Sequence, residues 1–113
     1  MATSITLAAS GVATSGVGDI KKKTTGYSKG CNLVVTVTAI SANTNLSGYL
    51  QTSDNGTYFT DTCSITGIVT GDVTSTIKSF AARYEGSIPA FVRIRWVRTG
   101  DTVTALAKLI FDD

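Results

Sequence analysis

The stretch Y-L-Q-T-S-D-N-G-T-Y-F-T-D-T, residues 49–62, reads as two strands joined by a tight turn. Asp54, Asn55 and Gly56 are the turn, because Asn and Gly tolerate the positive φ that a tight hairpin requires. The flanks carry Thr, Tyr, Phe and Leu, which suit a pleated, half-buried surface. A hairpin near the middle of the chain sets a register for its neighbours, so the remaining strands are sought outward from it.

Upstream, C-N-L-V-V-T-V-T-A-I at residues 31–40 is the strongest strand signal. Leu33, Val35, Val37 and Ala39 form an apolar face, and Asn32, Thr36 and Thr38 share the other with Val34, which predicts a central strand. Residues 41–45 read as a polar loop, and residues 46–53 lead into the hairpin. Residues 58–65 leave it, and strict alternation sets Phe59, Asp61 and Cys63 on one face with Tyr58, Thr60 and Thr62 on the other. A carboxylate beside Phe59 and Cys63 is misplaced, and a bulge near the turn would repair it. Nearer the start, Ile5 and Leu7 predict a short strand over residues 4–8. Gly11, Gly16 and Gly18 then make residues 10–19 a loop or an irregular edge. Lys21, Lys22 and Lys23 suit a solvated edge strand or loop that resists edge-to-edge pairing, or a contact with an acidic partner surface.

Downstream, Ile68, Val69, Val73 and Ile77 can supply one or two further strands, and F-A-A-R-Y at residues 80–84 precedes a turn over 85–89. In F-V-R-I-R-W-V-R, Val92, Ile94 and Trp96 alternate with Arg93, Arg95 and Val97, so Trp96 points inward and the two arginines outward. Charged side chains on the wet face of a sheet need no special role, yet Arg93 and Arg95 with Lys21 to Lys23 also suit an acidic protein surface or a phosphate. After a turn at Thr99, Gly100 and Asp101, the closing strand puts Val103, Ala105, Ala107, Leu109 and Phe111 on one face. Leu106 and Ile110 lie on the other, around Lys108, and two large apolar residues on an outer face need a cover. Seven or eight short strands without a helical period predict an all-β fold, an antiparallel β-sandwich or jelly-roll-like barrel in a single domain over residues 1–113.

The 113 residues carry a formal net charge of +2, too little to argue for a nucleic-acid or membrane partner. Charged residues are 16% of the chain, below the roughly 25% of ordinary soluble domains. There is no His and no C-x-x-C, so neither a nucleophile with an imidazole base nor a zinc or thioredoxin-like site is expected. The acidic residues fall mostly at turns or the terminus, and no enzyme and no cofactor are expected. Asp54-Asn55-Gly56 lacks the further alternating oxygen ligands of a calcium loop. The N-terminus lacks a basic region followed by an apolar run, which suggests a protein made in a cytoplasm, with Cys31 and Cys63 as reduced, buried thiols.

Together, the opening I-T-L-A-A-S-G-V-A-T-S-G, the G-Y before L-V-V-T-V-T-A-I-S, L-Q-T-S-D-N-G-T-Y-F-T-D, F-A-A-R-Y and F-V-R-I-R-W-V-R-T-G resemble a family of small tailed-bacteriophage virion proteins. The resemblance covers nearly the whole chain. Its most specific part is Q-T-S-D-N-G-T-Y-F followed by V-R-I-R-W, a pairing similar also to discoidin-like jelly rolls, although residues 81–91 here are longer than the compact A-R-Y-V-R join of those relatives. The resemblance implies a β-sandwich that decorates or cements a capsid, with the major capsid protein as partner and a homo-oligomer, a trimer above all, as the assembled form. It implies a place on the capsid surface of a virion assembled in the host cytoplasm. A tail or neck position belongs to the same likeness, and a discoidin-like glycan-binding module is the alternative. No catalytic residues come with it. Lys21, Lys22, Lys23, Arg93, Arg95, Leu106 and Ile110 are the candidate partner contacts.

Overall fold

The computed structural model describes residues 3–22, 30–69 and 78–111. These form nine strands: β1 (Thr3–Val12), β2 (Gly16–Val17), β3 (Lys21–Lys22), β4 (Cys31–Ile40), β5 (Asn45–Ser53), β6 (Thr60–Val69), β7 (Lys78–Tyr84), β8 (Phe91–Thr99) and β9 (Val103–Phe111). All pairings are antiparallel. One sheet has the order β1-β9-β4-β7, and the other the order β2-β8-β5-β6 with β3 also on β8. The two sheets pack face to face as a sandwich and do not close into a barrel.

β2 and β3 both pair with β8 and share one strand position. Apart from their junction and the β5–β6 hairpin, every connection passes from one sheet to the other. That wrapping is the double Greek-key connectivity of a jelly roll.

The core forms because the inward residues of four adjacent strands are almost all apolar. Leu33, Val35 and Val37 of β4 and Val103, Ala105, Ala107, Leu109 and Phe111 of β9 face Leu46 and Leu50 of β5 and Val92, Ile94 and Trp96 of β8. Burying a side chain of this kind is worth about 1.5–3 kcal/mol. The chain leaves room for the indole by placing Gly48 directly across from Trp96. A Cβ on Gly48 would stand 3.0 Å from Cζ3 of that ring.

The alternation expected for β4, β8 and β9 is observed, with one exception. Thr38 is an extra residue in the β4–β9 ladder, and the shift between Val37 and Ala39 turns Ala39 out to solvent. The expectation that Ala39 is buried is therefore corrected. The first strand does not stop at residue 8. Two irregularities let β1 follow β9 as far as Val12, and Gly16–Val17 pairs with β8, so of the two readings offered for residues 10–19 the irregular edge is the one observed and the plain loop is not. Residues 80–84, read only as the approach to a turn, belong to the edge strand β7. Its Phe80, Ala82 and Tyr84 lean on the core and are half-buried. Ile68 and Val69 complete β6 and start no new strand. Val73 and Ile77 lie outside the described residues.

The central hairpin is present as β5–β6, but its connection runs through residues 54–59. Gly56 has φ 78°, whereas Asn55 is not among the described residues with positive φ and works through its side chain. Asn55 Oδ1 accepts from the backbone N–H groups of Thr57 (2.8 Å) and Tyr58 (3.1 Å), while Ser53 Oγ accepts from those of Asn55 (3.2 Å) and Gly56 (3.0 Å). The side-chain oxygens of this turn serve its own backbone.

Candidate functional site

The outer face of the five-stranded sheet carries a connected polar and aromatic array, and a bulge makes it possible. Leu50 pairs with Cys63 and Gln51 with Asp61, so Thr62 is the extra residue. It changes the alternation of β6. Cys63 leans on the core, whereas Asp61 is turned to the outer face, where β8 presents Arg93 and Arg95. The anticipated bulge is thus present. It joins an acid and a base 34 residues apart in the chain.

Arg95 Nη2 donates to Asp61 Oδ2 at 3.0 Å, and its Nε reaches Oδ1 at 3.4 Å. Its guanidinium carbon lies 4.1 Å from the centroid of the Tyr49 ring. Gln51 Nε2 donates to Asp61 Oδ1 at 2.9 Å, and Gln51 Oε1 accepts from Arg93 Nε at 2.8 Å. Arg93 in turn lies over Phe59, 3.9 Å from the ring centroid. The array therefore runs Tyr49, Arg95, Asp61, Gln51, Arg93, Phe59. The hydrogen bonds from Arg95 and then from Gln51 hold the Asp61 carboxyl below its ordinary range, against a smaller opposing effect of burial. Cation–aromatic contacts at such partly exposed places are each worth about 0.5–1 kcal/mol.

Lys21 and Lys22 form the edge strand β3, paired with Val92 and Phe91. Lys22 Nζ lies 5.8 Å from the Phe91 ring, which shares the outward face of β8 with the two arginines. The structure thus brings Lys22, Arg93 and Arg95 to one side of the molecule. Lys23 lies outside the described residues. Arg98 has a structural task, since its Nη1 donates to the carbonyl of Ala13 (3.1 Å) and its backbone N–H to Ser15 Oγ (2.9 Å), holding the segment before β2 against β8.

Leu106 and Ile110 lie on the opposite surface, the outer face of the four-stranded sheet, as the alternation of β9 predicted. Leu106 is across from Thr36, Ile110 across from Asn32, and Val34 faces Lys108 between them. Both are half-buried by these neighbours. The candidate contacts therefore divide between two faces. Sequence reasoning missed Tyr49, Gln51, Phe59, Asp61 and Phe91 as members of the basic face. The outward phase of β8 pointed to Phe91, but Asp61 and Phe59 become visible only with the bulge.

Among the described residues there is no group of three or more His, Cys, Asp or Glu side chains placed to hold a metal ion. Cys31 and Cys63 are free thiols. Cys31 is fully buried, whereas Cys63 is only half-buried, which corrects the expectation of two buried cysteines. Desolvation pushes the Cys63 thiol above its ordinary pKa. No helix among the described residues is long and apolar enough to cross a membrane. No protein-family model, curated protein or solved structure matches the chain.

Proposed function

We propose that this protein is a structural component of a tailed-bacteriophage virion that decorates or cements the capsid through protein–protein contacts, as a homo-oligomer with a trimer favoured. The observation that carries the choice of protein contact is the state of the aromatic side chains. Trp96, the residue best suited to stack on a sugar, is 7% exposed and lies over Gly48. Tyr49 and Phe59 each have a guanidinium on one ring face. Apart from Tyr58 in the turn over residues 54–59, what remains for recognition is charge on one outer face and apolar surface elsewhere. Val12, Val17 and Ile20 are exposed along the segment that passes from one sheet to the other, and Leu106 and Ile110 are half-covered on the second outer face. Apolar groups distributed in this way suit subunit and shell contacts. The jelly-roll connectivity adds support by fold analogy alone, since viral shell domains and lectins both use it.

A second reading, a discoidin-like glycan-binding module, is favoured by Tyr58, which is 80% exposed at the tip of the turn over residues 54–59. Mass spectrometry of purified particles, counting copies of this chain per copy of the major capsid protein, tests the first reading. A stoichiometric presence on heads is the expected result. A presence on tails only moves the protein to the tail or neck, and absence from particles together with glycan-array binding lost on Tyr58→Ala establishes the second reading instead.

A further inference from the structure

Arg93 and Arg95 look equivalent in the sequence, two residues apart on one face of one strand. Their surroundings differ in kind. Arg95 has its charge matched by Asp61, which receives both Nη2 and Nε. Arg93 has a neutral partner instead, Gln51 Oε1, and that bond uses only Nε. Among the described residues Arg93 forms no ion pair, and neither its Nη1 nor its Nη2 has an intramolecular acceptor.

The guanidinium is nevertheless held in place. The Arg93 guanidinium carbon lies over the Phe59 ring, 3.9 Å from the centroid. Gln51 is only 8% exposed and cannot turn its amide, because its Nε2 is committed to Asp61 at 2.9 Å and its oxygen must then face Arg93. Asp61 is itself clamped by Arg95. The series Arg95, Asp61, Gln51 thus orients Arg93 with its end-on edge, the Nη1 and Nη2 pair, unengaged. A planar fork held this way gives up little freedom when a carboxylate occupies it.

We propose that Arg93 is the anion-receiving residue of this protein, taking a carboxylate from an acidic segment of a protein partner on the outer face of the five-stranded sheet. The inference rests on the reading of this face as a protein-docking surface. Arg95, Asp61 and Gln51 are positioning residues. Charge complementarity selects the partner, since Lys22, Arg93 and Arg95 share this side of the molecule and only Arg95 among them forms an ion pair, which leaves a modest surplus of cations without an ionic partner. That surplus is small for a polyanion, because nucleic-acid binders commonly neutralise about 6–10 phosphates. It is suited to steering and registering an acidic protein segment.

The test follows the Nε–H resonances of both arginines in 15N-labelled protein during titration with a hexaglutamate peptide, with inorganic phosphate and with a short oligo-dT in parallel. Hexaglutamate is expected to move Arg93 saturably and Arg95 much less, with Arg93→Gln and Gln51→Leu each weakening binding about tenfold while unfolding at nearly the parental temperature. Arg93→Lys, which keeps the charge but not the fork, is expected to bind more weakly than the parent. Equal binding by Arg93→Gln and the parent overturns the assignment, and tighter binding of phosphate or oligo-dT than of hexaglutamate overturns the choice of a carboxylate partner. On purified particles, parent and Arg93→Gln attached in equal copy number overturns this inference and leaves the virion role standing. A parent absent from particles removes the virion role, and the titration still decides Arg93.

Discussion

Trp96→Ala is the substitution that probes the packing of this sandwich most sharply. The indole is 7% exposed and belongs to the buried cluster between the two sheets, so truncation should cost about 3–5 kcal/mol. A domain of this size has about 5–15 kcal/mol in total, and each kcal/mol lowers the melting temperature by about 4 °C, so a fall of about 12–20 °C is expected. Far-ultraviolet circular dichroism is the appropriate readout, since Trp96 is the single Trp of the chain and the variant loses its fluorescence. A second substitution tests the cause. In the parent, Gly48→Ala places a Cβ 3.0 Å from Cζ3 of the indole and should cost about 1–3 kcal/mol through overpacking. In the Trp96→Ala background the same Cβ meets vacated space, and the change should become neutral or gain about 0.5–1 kcal/mol as an Ala replaces a strand Gly. A loss below about 1 kcal/mol for Trp96→Ala refutes the packing argument, given the cost usual for a buried aromatic. A Gly48→Ala cost that is the same in both backgrounds refutes the account of Gly48.

Replacing Leu106 and Ile110 together by Ser should leave the chain folded and weaken self-association or shell binding in analytical ultracentrifugation and particle attachment; an unfolded double variant shows that these side chains serve the fold itself. The Asp61 carboxyl titrates lower in the folded protein than in the unfolded chain, so its contribution to stability is complete above the ordinary value of about 3.9 and is lost as pH falls below it. Because the pair is partly exposed, the loss should be under about 1 kcal/mol, measured as the difference between parent and Asp61→Asn in urea unfolding at pH 7 and pH 3. With thiol reagents at neutral pH, native Cys31 should not react and Cys63 should react more slowly than free cysteine, both becoming fast in denaturant; rapid labelling of native Cys63 contradicts its raised pKa.

The central strands were legible because their chemistry is local. In β8 and β9, apolar residues recur at every second position against Arg, Lys or Thr, and that period identifies both the strand and its buried face. β7 was not legible in the same way. Phe80, Ala82 and Tyr84 lie on a sheet edge, where half-burial suffices and Ala serves either face. The flip of Ala39 depends on the ladder with β9, where its partner Thr104 is 65 positions away in the chain, and nothing near residue 39 announces it. Asp61 was the informative misfit. A carboxylate in the wrong phase was a misfit that a bulge would repair, but the bulge itself and the partner Arg95 became known only from the alignment of β5 with β6 and β8. Sheet order is still less local, since it depends on which strand covers which once both faces have collapsed.

The place of β9 between β1 and β4 has a consequence for the order of events in the cell. β9 is the last of the nine strands to leave the ribosome, yet among the described residues it is the only partner of β1 in the sheet and one of two partners of β4. Until residues 103–111 have been translated, β1 lacks the strand it pairs with and β4 exposes an open edge beside Leu33, Val35 and Val37. The sandwich therefore cannot close before β9 has been made and finishes by inserting that strand between two older ones. A chain halted in the turn at Gly100 is expected to be more than a slightly weakened domain. It would hold a slot with two unpaired strand edges and an uncovered apolar floor, the kind of surface that recruits strands from other nascent chains, and such a product should collect in the insoluble fraction.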